Sequence, residues 1–332
     1  MTEYNQILLV ARPEEQGLGA HLFKSITQTL PTLEQGQFAV KQTHMSLDPA
    51  MLGWMASDEN SYIPPVPLNT VMRSFGVAEV TESRHPEFAV GELVSGMFGW
   101  SEYAISTGEG ISKVQPGIKP EMALAVFALP GLTATHGLFN IGKPKSGETI
   151  VVTGAAGSVG SIVGQLAKAE GLNVIGVVGS DEKADWIVND LGFDAAINYK
   201  TDDLLGKLNE YAPNGVDVYF ENTGGEIQSL VFNKMNAHGR IIVCGMIADY
   251  TAETPRPGPN WINAIKKRLT IQGFAMPDHL ADAPQLQAKL APYVLAGKVK
   301  YRTHQLDGLE AAKTGLSLLF TGENQGKLMI KL

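Results

Sequence analysis

Three glycines recur at a spacing of three, Gly154-x-x-Gly157-x-x-Gly160. They lie between an apolar run, TIVVT, and a stretch of small and apolar residues, SVGSIVGQLAK. A strand that turns through glycine into a helix presents the unpaired N–H groups of the helix start, at the positive end of its dipole, to an anion such as a pyrophosphate. In that arrangement the free N–H groups at the helix start hold the anion. Gly157 lets the backbone approach it, and Gly160 lets the helix pack closely on the sheet. The spacing differs from the usual G-x-G-x-x-G, so the triplet alone also fits a tight turn with no ligand. The strand before it and the helix after it favour a nucleotide.

The next apolar run, NVIGVV, ends in Gly179-Ser180, with Lys183 three residues on. A site for NAD carries Asp or Glu at this strand end to accept from the ribose hydroxyls. Here no carboxylate ends the strand. Ser180 can donate to a phosphate, Lys183 supplies positive charge, and Tyr199 in AINYK adds a hydroxyl. The group suits a 2′-phosphate, hence NADPH over NADH. Asp181 opposes that reading unless it turns outward, for example as a helix N-cap.

Metal chemistry finds few candidates. A catalytic zinc draws on Cys and His, and a structural zinc on four close cysteines. The chain has one cysteine, Cys244, and its histidines, among them His44, His85, His136, His238, His279 and His304, have no ligand spacing. They are expected at the surface or as caps. Nothing near Cys244 in sequence marks a base for it, so it reads as a strand-end residue rather than a nucleophile. Without a Lewis acid, alcohol oxidation is poorly served.

These residues need a scaffold. Up to about Glu121 the chain is rich in Pro and Gly, with short runs such as GVAEVTES, GELVSGMFGWSEYAIS and ISKV that read as strands. From Leu124 strands and helices alternate. Strands are expected at Thr149–Thr153, Asn173–Val178, Ala195–Asn198, Val216–Phe220, Arg240–Cys244 and Thr270–Phe274. Helices are expected between them, at Val159–Glu170 and Lys183–Leu191 among others. Such alternation predicts a parallel sheet covered on both faces. Strand character returns in KVKYRTHQ and GKLMIKL. The fold class expected is α/β: a doubly wound, six-stranded Rossmann sheet, residues 124–303, inserted into a β-rich domain made from 1–123 and 304–332.

Composition narrows the partners. The 332 residues carry a formal net charge of -8, with no long basic tract, which argues against nucleic acid. Lys266-Lys267-Arg268 reads as a helix end with cations at the negative pole. Glu3 and the short run Ile7–Ala11 do not read as a signal peptide, so none is expected here. Apolar runs such as IIVCGMIA are too short to span a bilayer. With a single cysteine there is no intrachain disulfide, and a cytoplasmic protein is expected.

Taken together, AAGSVGSIVGQLAK, GSDEK, GFDAAINYK, YFENTGG, GRIIVCG and GENQGKLMIKL resemble the zinc-independent medium-chain dehydrogenase/reductases. The similarity is to the branch of prostaglandin reductase, alkenal/one oxidoreductase and curcumin reductase. MSLDP, HPEFAVGELV and LPGLTA extend it over nearly the whole chain. The resemblance implies a GroES-like domain around a Rossmann domain, usually as a homodimer. It also implies NADPH-dependent reduction of the double bond of α,β-unsaturated ketones and aldehydes. Residue by residue, it implies a pyrophosphate turn at Gly157, Ser158, Val159 and Gly160, and 2′-phosphate contacts from Lys183 and Tyr199. Asn222, Cys244, Gly245, Phe274, Met276 and Asn324 take cofactor contacts. Tyr250 is implied near nicotinamide and the substrate carbonyl, and Tyr62 on the substrate side. Two positions depart from the family pattern S-x-D-P-Y-M-R: Ala50 stands for its tyrosine and Leu52 for its arginine. They leave the substrate open, and leave a quinone reductase of the same superfamily and a non-catalytic NADPH-binding sensor as other readings.

Overall fold

The computed structural model describes residues 2–252, 254 and 256–332. Eight strands come first: β1 (Glu3–Leu9), β2 (Phe23–Thr29), β3 (Phe38–Ser46), β4 (Thr70–Val71), β5 (Phe75–Ser83), β6 (Leu93–Met97), β7 (Tyr103–Ser106) and β8 (Ser112–Lys113). Six follow: β9 (Thr149–Thr153), β10 (Asn173–Val178), β11 (Ala195–Asn198), β12 (Val216–Glu221), β13 (Met235–Val243) and β14 (Thr270–Gly273). β15 (Thr303–Asp307) and β16 (Lys327–Lys331) close the chain. Two compact units emerge, Met1–Ala128 with Thr303–Leu332, and Leu129–Arg302.

The first unit holds a small sheet, β2-β1-β4, and a larger one in the order β15-β16-β3-β5-β6-β8, with β7 also paired to β3. Its apolar core gathers Ile7, Leu9, Met45, Met51, Trp100, Leu328 and Ile330 from both ends of the chain. The C-terminal strand is therefore an interior member of a sheet begun hundreds of residues earlier. Lys327 at its start is almost fully buried, and its ammonium donates to the Asp48 carboxylate and to the Leu47 carbonyl (3.1 Å).

The second unit is a parallel sheet in the order β11-β10-β9-β12-β13-β14, as expected for a doubly wound fold. The β-branched runs explain it. Ile150, Val151, Val152, Val174 and Ile175 are fully buried, as strands covered on both faces must be. Strand order reverses between β9 and β12. In open α/β sheets ligands bind at that reversal, beyond the carboxyl ends of the strands.

The structure moves some boundaries. β13 starts at Met235, not Arg240, because Met235 pairs with Val216 across a register shift, and His238 takes up the irregularity at a φ of 64°. It ends at Val243, one residue before Cys244. The second expected helix begins at Asp181 and becomes π-helical from Trp186 to Asp190, where Trp186 and Ile187 are buried. ISKV yields only Ser112–Lys113 as strand. One helical run, Pro120–Gly142, is long and apolar enough to cross a membrane by length and composition. Its 67% burial accounts for that character: Ala123 and Leu124 pack with Val77 and Met329, and Leu132 with Met276 and Leu286.

Candidate cofactor and active site

The glycine turn leaves β9 through Gly154, whose φ of +59° needs glycine. The Gly157 amide donates to the Gly154 carbonyl (2.9 Å), and a helix runs from Ser158 to Ala169. A Cβ at Gly160 would stand 2.4 Å from the Gly154 oxygen and 2.9 Å from the Ala155 Cα. Gly160 is thus the position where only glycine lets the helix lie against the turn. At Gly157 the nearest atom would be 3.1 Å away, a milder crowding. Ser158 and Val159 fill the first turn, and the first amides of the helix have no partner within it. The cradle fits a pyrophosphate.

At the ends of β10 and β11 a second group assembles. Ser180, not Asp181, caps the following helix: its hydroxyl accepts from the Lys183 amide (3.3 Å). Asp181 is instead held by Asn198, whose side-chain amide donates to its carboxylate (2.7 Å). The Tyr199 ring lies along Gly179, where a Cβ would meet its hydroxyl at 3.2 Å. The Lys200 ammonium is 6.0 Å from the same ring. Burial, and after it the charge of Lys200, lower the Lys183 pKa, with Glu182 opposing. Two cations that raise each other's energy are what an anion between them relieves. Lys200 did not stand out in the sequence, although it directly follows Tyr199.

The reversal between β9 and β12 is built around a carboxylate that sequence reasoning also missed. Glu221 is fully buried. It accepts from the Thr153 hydroxyl (2.8 Å), the Thr223 amide (2.7 Å), the Gly224 amide (3.0 Å) and the Tyr219 hydroxyl. Burial and Glu221 hold Tyr219 well above the ordinary phenol range. Asn222 ties the same corner to β9: its backbone amide donates to the Thr153 hydroxyl (2.9 Å) and its side chain to the Thr153 carbonyl (2.7 Å). The amides of Cys244 and Gly245 both donate to the Glu221 carbonyl, at 2.9 and 3.1 Å. Burial and the Glu221 charge push the Cys244 thiol up to about 12, so it stays protonated at neutral pH and is a poor nucleophile.

The loop after β13 folds back on that corner. Ile247 and Ala248 donate to the carbonyls of Asn222 (3.3 Å) and Thr223 (2.9 Å). The Tyr250 hydroxyl accepts from the Met246 amide (3.2 Å) and lies over Gly245, where a Cβ would be 3.2 Å away. The structure thus brings Asn222, Cys244, Gly245 and Tyr250 to one corner, at the reversal from which the glycine turn also leaves.

Phe274 and Met276 follow β14, and their side chains join Leu132 and Leu286 in a small apolar cluster. Phe274 also lies 5.2 Å, ring to ring, from His136, whose ring is tilted against that of His279 at 3.8 Å. His136 and His44 are 5% and 6% exposed, so neither is the surface residue expected. Their neighbours explain this. His136 has the Asn140 side chain at 3.2 Å, and His44 has Glu121 at 3.7 Å. Tyr62 and Asn324 belong to the first unit. Tyr62 is exposed, and the Asn324 side chain donates to Gly326 (3.0 Å) in the turn before β16. In the helix Ala50–Met55, Leu52 is buried and Ala50 packs beside the same core.

Among the described residues no three His, Cys, Asp or Glu side chains gather where they could hold a metal, so the residues present do not fit a zinc site. Two family descriptions match the chain: "N-terminal domain of oxidoreductase" over residues 5–114, and "Zinc-binding dehydrogenase" over residues 158–291. The NADPH-dependent curcumin reductase of Escherichia coli is 38% identical over 93% of this chain and 92% of its own. The chain belongs to the medium-chain dehydrogenase/reductase family. Within this family, the NADP-dependent 2-alkenal reductase of Nicotiana tabacum is 39% identical, covering 92% of this chain and 91% of its own. The crystal structure of CurA with NADPH from Vibrio vulnificus superimposes with a TM-score of 0.91 at 39% identity, over 98% of each chain. The α/β architecture and the family branch are those the sequence motifs implied. The family's glycine turn is present here in a form that excludes larger residues at Gly160.

Proposed function

We propose that the protein is an NADPH-dependent, zinc-independent reductase of the carbon–carbon double bond of α,β-unsaturated ketones and aldehydes. The observation that carries this is the corner where the Tyr250 hydroxyl lies over Gly245, beside Asn222, at the carboxyl edge of the sheet. The curcumin and 2-alkenal reductases among its relatives support the same reaction.

Bound NADPH supplies the hydride that adds to the β-carbon of the substrate. The amides of Gly157, Ser158, Val159 and Gly160 hold the pyrophosphate. Ser180, Lys183 and Tyr199, with Lys200, hold the 2′-phosphate. Asn222, Cys244 and Gly245 border the nicotinamide ribose, and Phe274 and Met276 present backbone on the nicotinamide side. Tyr250 donates a hydrogen bond to the carbonyl oxygen as charge builds there. For Tyr62 on the substrate side and Asn324 on the cofactor, the support is the family resemblance. Oxidation of NADPH with a panel of enals, enones and quinones tests the reading. Turnover of an aliphatic enone supports it, and turnover of quinones alone would replace it with quinone reduction.

We further propose a cytoplasmic homodimer. β14 is an edge strand, and the helix before it exposes Ile262 and Ile265, next to exposed Trp261. An open edge beside apolar side chains is a pairing surface that a second copy can cover. Light scattering at micromolar concentration checks the mass, and a monomer would exclude the dimer.

A further inference from the structure

Dehydrogenases of this fold select NAD with a carboxylate that accepts from the ribose hydroxyls at the end of the second strand. This chain has a carboxylate one residue beyond Ser180, at Asp181. In chain terms Asp181 is two residues from Lys183, and its hydrogen-bond partner Asn198 is two residues from Lys200. A loose carboxylate at this place would compete with a phosphate for both lysines, and would also offer an acceptor to an unphosphorylated ribose.

It is not loose. Asn198 ends β11 and is 5% exposed. Both ends of its side chain are used. The amide nitrogen donates to Asp181 (2.7 Å), and the amide oxygen accepts from the Lys200 backbone (3.2 Å). Its own backbone is fixed as well: the N–H donates to Asp202 (2.8 Å), and the carbonyl accepts from Thr201 (3.1 Å) and Asp202 (2.9 Å). One side chain thus joins the helix start at Ser180 and Asp181 to the turn that carries Tyr199 and Lys200. A hydrogen bond from a buried amide to a carboxylate is among the stronger kind.

We infer that Asn198 is a positioning residue for cofactor choice: by holding the Asp181 carboxylate it keeps Lys183 and Lys200 for the 2′-phosphate. The inference rests on the NADPH reading above. It separates Asn198 from the residues that touch the cofactor, because it acts only through Asp181 and the Lys200 turn.

The test measures dissociation constants for NADPH and NADH by fluorescence titration, with melting temperature alongside. Four proteins are compared: wild type, Asn198→Ala, Asp181→Ala and the double variant. Asn198→Ala should lower the NADPH-over-NADH preference by about tenfold, the scale of one charge-assisted hydrogen bond. The double variant should return to within about threefold of wild type, since the carboxylate that Asn198 restrains is gone. Asp181→Ala alone alters an exposed residue that does not hold the core. It should shift NADPH affinity by less than about twofold, because the carboxylate is already restrained. Three results would each overturn the inference. One is an unchanged preference in Asn198→Ala. Another is a loss in Asn198→Ala that affects both cofactors equally or persists in the double variant, the mark of a structural role. The last is a change in NADPH affinity of more than about twofold from Asp181→Ala alone. That single variant can overturn the inference even if Asn198→Ala does not fold. A wild type that binds both cofactors equally is a different failure, that of the NADPH reading itself.

Discussion

Lys183 and Tyr250 divide the work of the proposed site into binding and chemistry, and their variants should separate the two. Lys183→Ala removes the half-buried cation on the helix that Ser180 caps, so NADPH affinity should fall by more than about tenfold while NADH affinity holds. Titration of both cofactors against the variant checks this, and an equal loss for both would remove Lys183 from phosphate recognition. Tyr250→Phe keeps the ring and deletes only the hydroxyl over Gly245. If that hydroxyl strengthens its bond to the enone oxygen in the transition state, kcat and kcat/KM fall together, by about ten- to a hundredfold. Steady-state kinetics with a saturating enone reads this directly. A raised KM with unchanged kcat would make Tyr250 a wall of the cleft instead. The adjacent rings of His136 and His279 add a pH dependence of stability. Burial lowers the pKa of His136, and after it the charge of His279, with Asp282 opposing. His44 is lowered by burial and by Lys331, against Glu121. For both, the unfolded chain binds protons that the native state resists. The stability that their neutral forms contribute is therefore complete above about pH 6.5 and declines as pH falls below it. Urea denaturation at pH 7.5 and 5.5 should show the loss, and a His136→Gln variant should show less of it.

Among the elements, the helix that starts at Ser158 depends on a single atom's absence. Gly160→Ala would drive a methyl into the Gly154 carbonyl, 2.4 Å away, and neither backbone can yield without moving the glycine turn. Overpacking of this kind costs about 1–3 kcal/mol. The variant should lose several degrees of melting temperature and most of its NADPH affinity, whereas Gly157→Ala, with 3.1 Å of room, should perturb the fold less. Calorimetry with and without cofactor measures both. The contrast shows what the sequence could carry. The glycine turn and the strands of the parallel sheet were legible because β-branched runs and glycine spacing are local signals. Glu221 was not, because an acid at the end of an apolar strand looks like a surface residue until Thr153, Tyr219 and Gly224 surround it. Asn198 was hidden in the same way: its meaning depends on two strand ends that are neighbours only in the sheet. Asp181 was read as a cap when its neighbour Ser180 does the capping, a choice between adjacent residues that helix propensity does not settle. The burial of His44 and His136 likewise follows from packing and from no spacing in the chain.

At the scale of the whole molecule, the two units are assembled from the chain very differently. Leu129–Arg302 is one continuous segment, while the other unit needs residues from both ends. β16, Lys327–Lys331, lies between β15 and β3, pairs with Ser46, Met45 and His44, and brings Lys327 to Asp48. Deleting residues 327–332 should therefore leave 1–128 open to proteolysis while 129–302 stays protected. Limited digestion followed by mass spectrometry reads out which fragments survive, and equal resistance of both would contradict the dependence. The same dependence operates on the ribosome. At roughly 5–20 residues per second, the strand that completes the N-terminal sheet is made some tens of seconds after β3. Throughout that interval the second half of β3 has an unpaired edge, with the buried Met45 uncovered. The nascent N-terminal segment, and not the unit Leu129–Arg302, is then the part of this protein that most needs a chaperone while it waits for its last five residues of strand.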